Sequence, residues 1–167
     1  RGDGNDRYEA RIDATGDAFV ADTGNNRIQR FSSGGVYEDK FGTNGSGNNQ
    51  FVGPKDVTIT PSGTVVVADT GNHRIKETTT TGTFIRTFGS SGTADGQFAS
   101  PEVVTTDADG RIVVADTGNH RIQGFDSTGT WLVSFGTFGT GAGMNQPVGV
   151  VVTANDRIVV INRANHQ

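Results

Sequence analysis

The stretch Ala68-Asp69-Thr70-Gly71-Asn72-His73-Arg74-Ile75 decides the fold, because the chain returns to it repeatedly. Residues 115–122 repeat it letter for letter, and residues 21–28 repeat it with Asn26 in place of the histidine. The aspartate recurs every 47 residues, and a fourth, degenerate copy begins near Asn162. A fixed period of this length indicates a repeat architecture rather than a single catalytic loop.

Each period contains four segments that predict β-strands. In the second unit they cover residues 56–60, 64–69, 74–79 and 83–88. The connections between them are short, so consecutive strands should pair antiparallel. The second strand, Val65-Val66-Val67-Ala68, is apolar without alternation, which predicts burial on both faces. The sequence therefore predicts an all-β protein built of four-stranded antiparallel meanders.

The period divides the chain into blade-like units. Three full units cover residues 1–47, 48–94 and 95–141, and residues 142–167 supply the inner two strands of a fourth. Four strands within 47 residues fit one blade of a β-propeller, whose repeats run to roughly 40 to 50 residues. Connections rich in glycine, serine and threonine separate the units and should cross from one sheet to the next.

Taken together, these motifs resemble the NHL-repeat β-propeller family. The resemblance rests on the Pro-x-x-Val opening at Pro54 and Pro101, the Val-Ala-Asp-Thr-Gly-Asn-His-Arg-Ile-Gln core, and the closing aromatic-x-x-x-Phe-Gly. It covers nearly the whole sequence. Such propellers close with about six blades. We therefore expect either part of a longer ring or an open arc whose ends other chains complete.

The signature turns are expected to be structural. Gly71 should supply a positive φ, Asn72 tolerates the same region, and Asp69 should accept backbone N–H groups of the turn. Arg74 could reach Asp69 across the hairpin. The residues assigned to these turns are Asp22, Gly24, Asn25, Arg27, Asp69, Gly71, Asn72, Arg74, Asp116, Gly118, Asn119 and Arg121.

Three histidines occupy one position of successive units. Convergence of His73, His120 and His166 on one point would make a zinc site. Equivalent positions of successive blades are spread around a ring, however, and Asn26 takes the first of them. We therefore assign no metal ligand here, and the role of these histidines is left open.

A catalytic role can be examined through the resemblance. Some proteins similar to this family are peptidyl-hydroxyglycine amidating lyases, whose zinc-ligating histidines follow the opening proline at the propeller axis. The matching positions are Lys55, Glu102, Val148 and Arg7 to Tyr8, and none is a histidine. The chain also lacks a phosphate loop and a Gly-x-Ser-x-Gly elbow. We expect no catalytic, cofactor or metal residue here, and the alternative is a lyase whose ligands lie in other blades.

Composition bears on the partners. Only three lysines and a net charge of -4 argue against a nucleic-acid surface, and no apolar stretch is long enough to span a membrane. Asn44-Gly45-Ser46 is an N-glycosylation acceptor pattern, and the low lysine content with abundant Gly and Thr suggests an extracellular or cell-surface protein. Arg1-Gly2-Asp3 spells an adhesion tripeptide within a glycine-rich stretch, where such triplets arise easily.

The sequence thus favours a non-enzymatic binding or assembly platform. Its partner would be a protein or surface ligand, or another copy of the chain. The variable connections 44–50, 90–97 and 137–146 are the expected binding surface, because the signature turns hardly differ. The second unit carries Glu77-Thr78-Thr79-Thr80-Thr81 where other units have Phe31 or Phe125, so its outer edge should be polar and loosely packed.

Overall fold

The computed structural model describes residues 8–139, 143–153 and 155–163, and its strands follow the 47-residue period. Among the described residues, three sheets have four strands each, with strand order following the chain, and two further sheets have two strands each. In chain order, the strands are β1 Tyr8–Ile12, β2 Ala18–Asp22, β3 Arg27–Phe31, β4 Tyr37–Phe41, β5 Thr43–Asn44, β6 Gln50–Phe51, β7 Asp56–Ile59, β8 Val65–Asp69, β9 Arg74–Thr78, β10 Phe84–Phe88, β11 Pro101–Thr106, β12 Ile112–Asp116, β13 Arg121–Phe125, β14 Trp131–Phe135, β15 Pro147–Val152 and β16 Ile158–Asn162.

The all-β prediction is confirmed, with four-stranded antiparallel meanders as blades. The observed strands of the second unit lie within a residue of the predicted segments. We keep the sequence-based units as labels, from blade 1 to the half-blade 4. Among the described residues, the only helices are single 3-10 turns at Thr23–Asn25, Thr70–Asn72 and Thr117–Asn119, and none could span a membrane.

The core consists of the joints between neighbouring blades. Val65 and Val67 of β8 face blade 1, where they contact Phe19 and Ile28, while Val66 and Ala68 face blade 3. All five residues of β8 are buried, and so are all five of β12. The prediction of strands covered on both faces is therefore confirmed for the two blades that have a neighbour on each side.

Outer strands interlock through an aromatic ring and a glycine. Phe41 of blade 1 lies against Gly82 of blade 2, where an added Cβ would be 2.4 Å from the ring carbon Cγ. Phe88 lies against Gly129 of blade 3 in the same way. Each closing aromatic therefore fits a position of the next blade that only glycine can occupy.

The prediction of a loosely packed outer edge in blade 2 is wrong. Glu77 and Thr78 are polar, as expected, but both are buried. Blade 2 lies between two other blades, so the replacement of an aromatic side chain by threonine does not open it to solvent. Glu77 is held by an ion pair to Arg86 and a hydrogen bond from the Thr64 hydroxyl.

Candidate functional site

The aspartate of each signature turn anchors a buried hydrogen-bond network. Asp69 is fully buried, and its Oδ2 accepts hydrogen bonds from Arg74 Nε at 2.7 Å and Asn72 Nδ2 at 2.9 Å. The predicted reach of Arg74 to Asp69 is confirmed. Oδ1 accepts the N–H of Val52 at 2.8 Å, which belongs to the connection entering the blade. The expectation that the turn itself supplies this N–H is wrong, because the 3-10 turn bonds internally, from His73 N to Thr70 O.

Gly71 has a steric role rather than the predicted conformational one. The positive φ of the turn belongs to the next-but-one residue, with φ of 56° at Asn26, 52° at His73 and 56° at His120. An added Cβ at Gly71 would lie 2.8 Å from Val52 O, and the Gly71 N–H donates to the same oxygen at 2.8 Å. The glycine is therefore needed because the incoming connection crosses directly over it. Asn72 does not take the left-handed conformation either, since it lies within the 3-10 turn.

The threonine and the histidine of the turn bind the connection that enters the next blade. Thr70 Oγ1 donates to Pro101 O at 2.7 Å, and His73 Nδ1 accepts the Ser100 N–H at 3.0 Å. The same contacts recur one blade later, from Thr117 to Pro147 O at 2.7 Å and from Gln146 N–H to His120 Nδ1 at 3.1 Å.

Asn26 makes the equivalent contact in blade 1. Its Oδ1 accepts the Gly53 N–H at 2.8 Å. Asparagine and histidine can therefore replace each other at this position, because both have a side-chain hydrogen-bond acceptor and both tolerate the left-handed backbone conformation. This shared chemistry is the signal in the sequence that points to the role of the histidine.

The arginine and asparagine of the turn hold the connection before the blade. Arg74 donates to the carbonyls of Ser46 at 2.7 Å and of Gly47 and Gln50 at 3.3 Å, and Asn72 donates to Gly45 O at 3.0 Å. Arg121 and Asn119 repeat these contacts on the connection 92–97. We call the six residues Asp, Thr, Gly, Asn, His or Asn, and Arg of one turn a signature junction. In blades 2 and 3 the junction joins its blade to the connections on both sides, and in blade 1 the described contacts join it to the connection that follows.

One residue beside the junction differs in blade 2. Gln123 of blade 3 donates to Gln97 O at 2.7 Å and Asp116 Oδ2 at 3.1 Å, and Gln29 of blade 1 donates to Asp22. Lys76 takes this position in blade 2, is fully buried, and donates to Gly47 O at 2.8 Å. Burial lowers the pKa of Lys76 to about 8, and the nearby Arg74 adds to the effect.

The described histidines do not converge. His73 and His120 serve successive junctions, and the His120 ring lies 4.8 Å from that of Phe138. His166 and the Arg1-Gly2-Asp3 tripeptide lie outside the described residues. Within residues 8–139, 143–153 and 155–163 there is no group of three or more His, Cys, Asp or Glu side chains that could hold a metal.

Two of the positions after the opening prolines meet between neighbouring inner strands. Lys55 Nζ and Glu102 Oε1 are 2.6 Å apart, although they belong to different blades. Burial raises the pKa of the neighbouring Asp56 to about 7, and hydrogen bonds from Val104 and Val57 together with the charge of Arg11 limit the rise. The structure therefore brings charged groups together here, but as an ion pair and not as a ligand set.

Asn44, the predicted glycosylation acceptor, is exposed at the end of β5. β5 pairs in parallel with β6, and the carbonyls of Gly45 and Ser46 are held by blade 2. The acceptor amide is thus presented by an ordered loop.

The repeated geometry agrees with a known family. Residues 51–77 and 98–125 match the family model described as NHL repeat. These two stretches of the chain are NHL repeats. Both matched stretches run from the Phe before the opening proline through the signature junction, so the residues that define the repeat are those that join the blades. A search of curated protein sequences found no match.

Solved structures share the β-propeller fold. A catalytically inactive virginiamycin B lyase from Staphylococcus aureus, crystallised with quinupristin, is similar at a TM-score of 0.71 and 18% identity, over 97% of this chain and 51% of that one. A nidogen/laminin complex is similar at 0.70 and 16%, over 93% and 56%. Kuenenia stuttgartiensis hydrazine synthase is similar at 0.74 and 12%, over 100% and 45%. The chain therefore spans about half the length of these structures, and the likeness concerns the fold alone.

Proposed function

We propose that the chain is a non-enzymatic binding or assembly platform that acts outside the cytoplasm, with a protein, a surface ligand or another copy of itself as partner. The observation that supports this best is the pair of apolar sheet faces at the two ends of the arc. The signature junctions support it further, because their polar side chains are engaged in holding blades together.

The end face of half-blade 4 carries exposed apolar side chains, and it borders a cavity of about 150 Å³ that Glu9 and Arg11 of blade 1 also line. Val150 is buried against blade 3, whereas its neighbour Val151 points the other way. The exposed fractions are 51% for Val151, 49% for Val159 and 63% for Ile161. Counted from the opening proline, Val159 and Ile161 occupy the positions of Val113 and Ala115, which pack against the next blade.

The opposite end face belongs to blade 1. Ala10, Ala18 and Val20 stand one period before Val57, Val65 and Val67, which pack against the preceding blade. Nearby Ile12 is 70% exposed. The two end faces are thus the two halves of the joint that recurs inside the arc, and blade 1 of one copy would fit half-blade 4 of another.

Solution mass tests this assembly. We expect the wild-type chain to exceed its monomer mass of 17.5 kDa in light scattering. Ile161→Asp should return it to monomer by charging the end face, while the matched control Ile85→Asp, on an exposed position of β10 in blade 2, should not. A folded wild-type monomer at every concentration would contradict assembly.

The extracellular assignment has its own test. Passage of the chain through a glycosylating secretory pathway should attach a glycan at the exposed Asn44, visible by peptide mapping, and Asn44→Gln should remove it. A soluble secreted chain that never carries a glycan at Asn44 would remove this support.

A second candidate is a lyase of the amidating type whose ligands would be supplied by blades other than these. It is favoured by the convergence of inner-strand side chains such as Lys55 and Glu102 at one point. The longer gene sequence tests it, because histidines directly after the opening prolines of further blades would favour the lyase, and their absence would favour the platform.

A further inference from the structure

An open groove lies between the connection 43–49, which enters blade 2, and the outer turn 81–84 of the same blade. Its volume of about 700 Å³ is within the range of small-ligand sites. None of the described residues that line it is charged. Because the groove offers an ion no opposite charge, its ligand should be neutral. We call it the connection groove.

The polar side chains of the connection groove have free hydrogen-bonding capacity. Four exposed side chains line it without bonding to another residue in the described part of the chain, namely the amides of Asn48 and Asn49 and the hydroxyls of Thr43 and Thr83. Amides and hydroxyls each carry a donor and an acceptor. A ligand with several hydroxyl groups complements them, because each hydroxyl also donates and accepts.

Aromatic rings supply the apolar part of the connection groove. Phe41 and Phe84 line it, and both are only partly buried. The face of an aromatic ring carries partial negative charge, so it attracts the C–H groups of a saturated ring. The ligand should therefore have an apolar face beside its hydroxyl groups, as a pyranose ring does.

The connection that forms one wall of the groove is already ordered. Asn72 of the signature junction donates to Gly45 O at 3.0 Å, and the Gly47 N–H donates to Gln50 Oε1 at 3.0 Å. A wall that is held in place before binding loses less conformational entropy when the ligand arrives. Asn48 and Asn49 thus stand on a rigid support.

The corresponding place between blades 2 and 3 does not offer the same groups. Asp95 and Gly96 stand there at the positions of Asn48 and Asn49. Asp95 is charged, and its Oδ1 accepts a hydrogen bond from the Ser134 hydroxyl at 2.8 Å. The pair of free amides is therefore a departure from the repeat and not a part of it.

We propose that the connection groove binds a neutral carbohydrate, with a pyranose ring packed on Phe84 and its hydroxyls hydrogen-bonded to Asn48 and Asn49. The inference rests on the proposed platform function, because it names the chemistry of a surface ligand. The two can fail separately. A chain that assembles but binds no sugar would refute only the groove, and a monomer that binds sugar would refute only assembly.

The probes are the methyl glycosides of glucose, galactose, mannose and N-acetylglucosamine, titrated into the ¹⁵N-labelled full chain made in bacteria. Bacterial production leaves Asn44 without a glycan that would compete for the groove. At least one probe should shift the backbone amides of Thr43 and Gly82 and the side-chain amides of Asn48 and Asn49, with a Kd of about 1 to 10 mM. Tetrahydropyran, which has the ring without the hydroxyls, should cause no shift.

The source of the sugar is distinguished by a second arm. A glycoprotein that bears the same sugar should bind more tightly than the free glycoside if the ligand is a glycan of a partner protein. It should bind equally if the ligand is a free saccharide. Tighter binding of the capped peptide acetyl-Ser-Asn-Ser-amide at the same amides would instead overturn the proposal in favour of a polypeptide.

Two variants and a matched control complete the test. Asn48→Ala combined with Asn49→Ala should weaken binding at least about tenfold, since two hydrogen bonds are lost. Phe84→Leu keeps an apolar side chain but removes the ring, and should weaken binding about threefold. Asn155→Ala removes an exposed amide of half-blade 4 and should leave the Kd unchanged.

The double variant should fold as the wild type does, because both of its side chains are exposed and make no hydrogen bond to another described residue. Equal binding by wild type and the double variant would overturn the proposal. So would shifts of equal size with tetrahydropyran, or the absence of a shift with all four glycosides up to about 50 mM.

Discussion

The signature junctions and the seam position, which is the position of Glu77 in each blade, differ in how they vary along the chain. The junction is identical in blades 2 and 3 and changes one residue in blade 1, and in all three blades it holds the connection that follows in the same way. The seam position is arginine, glutamate or glycine in successive blades, and its contacts differ accordingly: Arg30 pairs with Asp17, Glu77 with Arg86.

This difference separates scaffold from recognition. A group needed in every joint must recur, whereas a binding site is one place and requires a departure from the repeat. The residues that repeat in every blade therefore identify the architecture. The positions that depart from the repeat are the candidates for binding a ligand.

The largest expected effect comes from the junction aspartate. Asp69→Ala should lower the free energy of unfolding by about 3 to 5 kcal/mol, because it leaves Arg74, Asn72 and the Val52 N–H without their buried partner. Urea unfolding followed by circular dichroism measures this. A loss below about 1 kcal/mol would mean that the junction does not join the blades.

A smaller but still large effect is expected at the junction glycine. Gly118→Ala places a Cβ 2.4 Å from Ala99 O, so the connection must move and the free energy of unfolding should fall by about 2 kcal/mol. Gly63→Ala is an informative control, since it has a positive φ of 82° but no atom within 4 Å of the added Cβ. A loss for Gly118→Ala no larger than that for Gly63→Ala would contradict the steric role, because it would mean that the crossing connection moves at little cost.

Lys76 stands beside the junction of blade 2, where blades 1 and 3 have glutamine, and its effect on stability should depend on pH. Its pKa is lowered on folding, so the unfolded chain binds more protons between about pH 8 and 10, and this residue adds stability as pH rises through that window. Lys76→Gln restores the residue of blades 1 and 3. It should change the free energy of unfolding at pH 7 by about 1 kcal/mol or less and flatten its rise above pH 8. A steep rise retained in the variant would contradict the assignment.

The smallest effect on stability is expected at Asp109, in an exposed turn of blade 3. Asp109→Asn should change the free energy of unfolding by less than about 0.5 kcal/mol, since its exposed pair with Arg111 is worth little. Chemical unfolding of wild type and variant side by side checks this. A loss of unfolding free energy comparable to that of Asp69→Ala would show that Asp109 is needed to hold the fold together.

The sequence predicted the strands and the Asp69–Arg74 pair, because both depend on residues close together in the chain. It misassigned the positive φ to Gly71 and the source of the N–H bound by Asp69. Those features depend on Val52 and Ser100, which lie in the connections before and after the blade and are distant from the turn in sequence. It also assigned a loose edge to Glu77 and Thr78, since burial there is decided by neighbouring blades and not by the local pattern.

The central claim is that the repeated signature is a joint between blades, and one pair of variants at His73 tests it most directly. His73→Asn should unfold within about 0.5 kcal/mol of wild type, because Asn26 already performs this role in blade 1. His73→Ala should lose about 2 kcal/mol, because it combines left-handed strain with an unpaired Ser100 N–H. Equal stability of the alanine variant and wild type, or equal losses in both variants, would contradict the account.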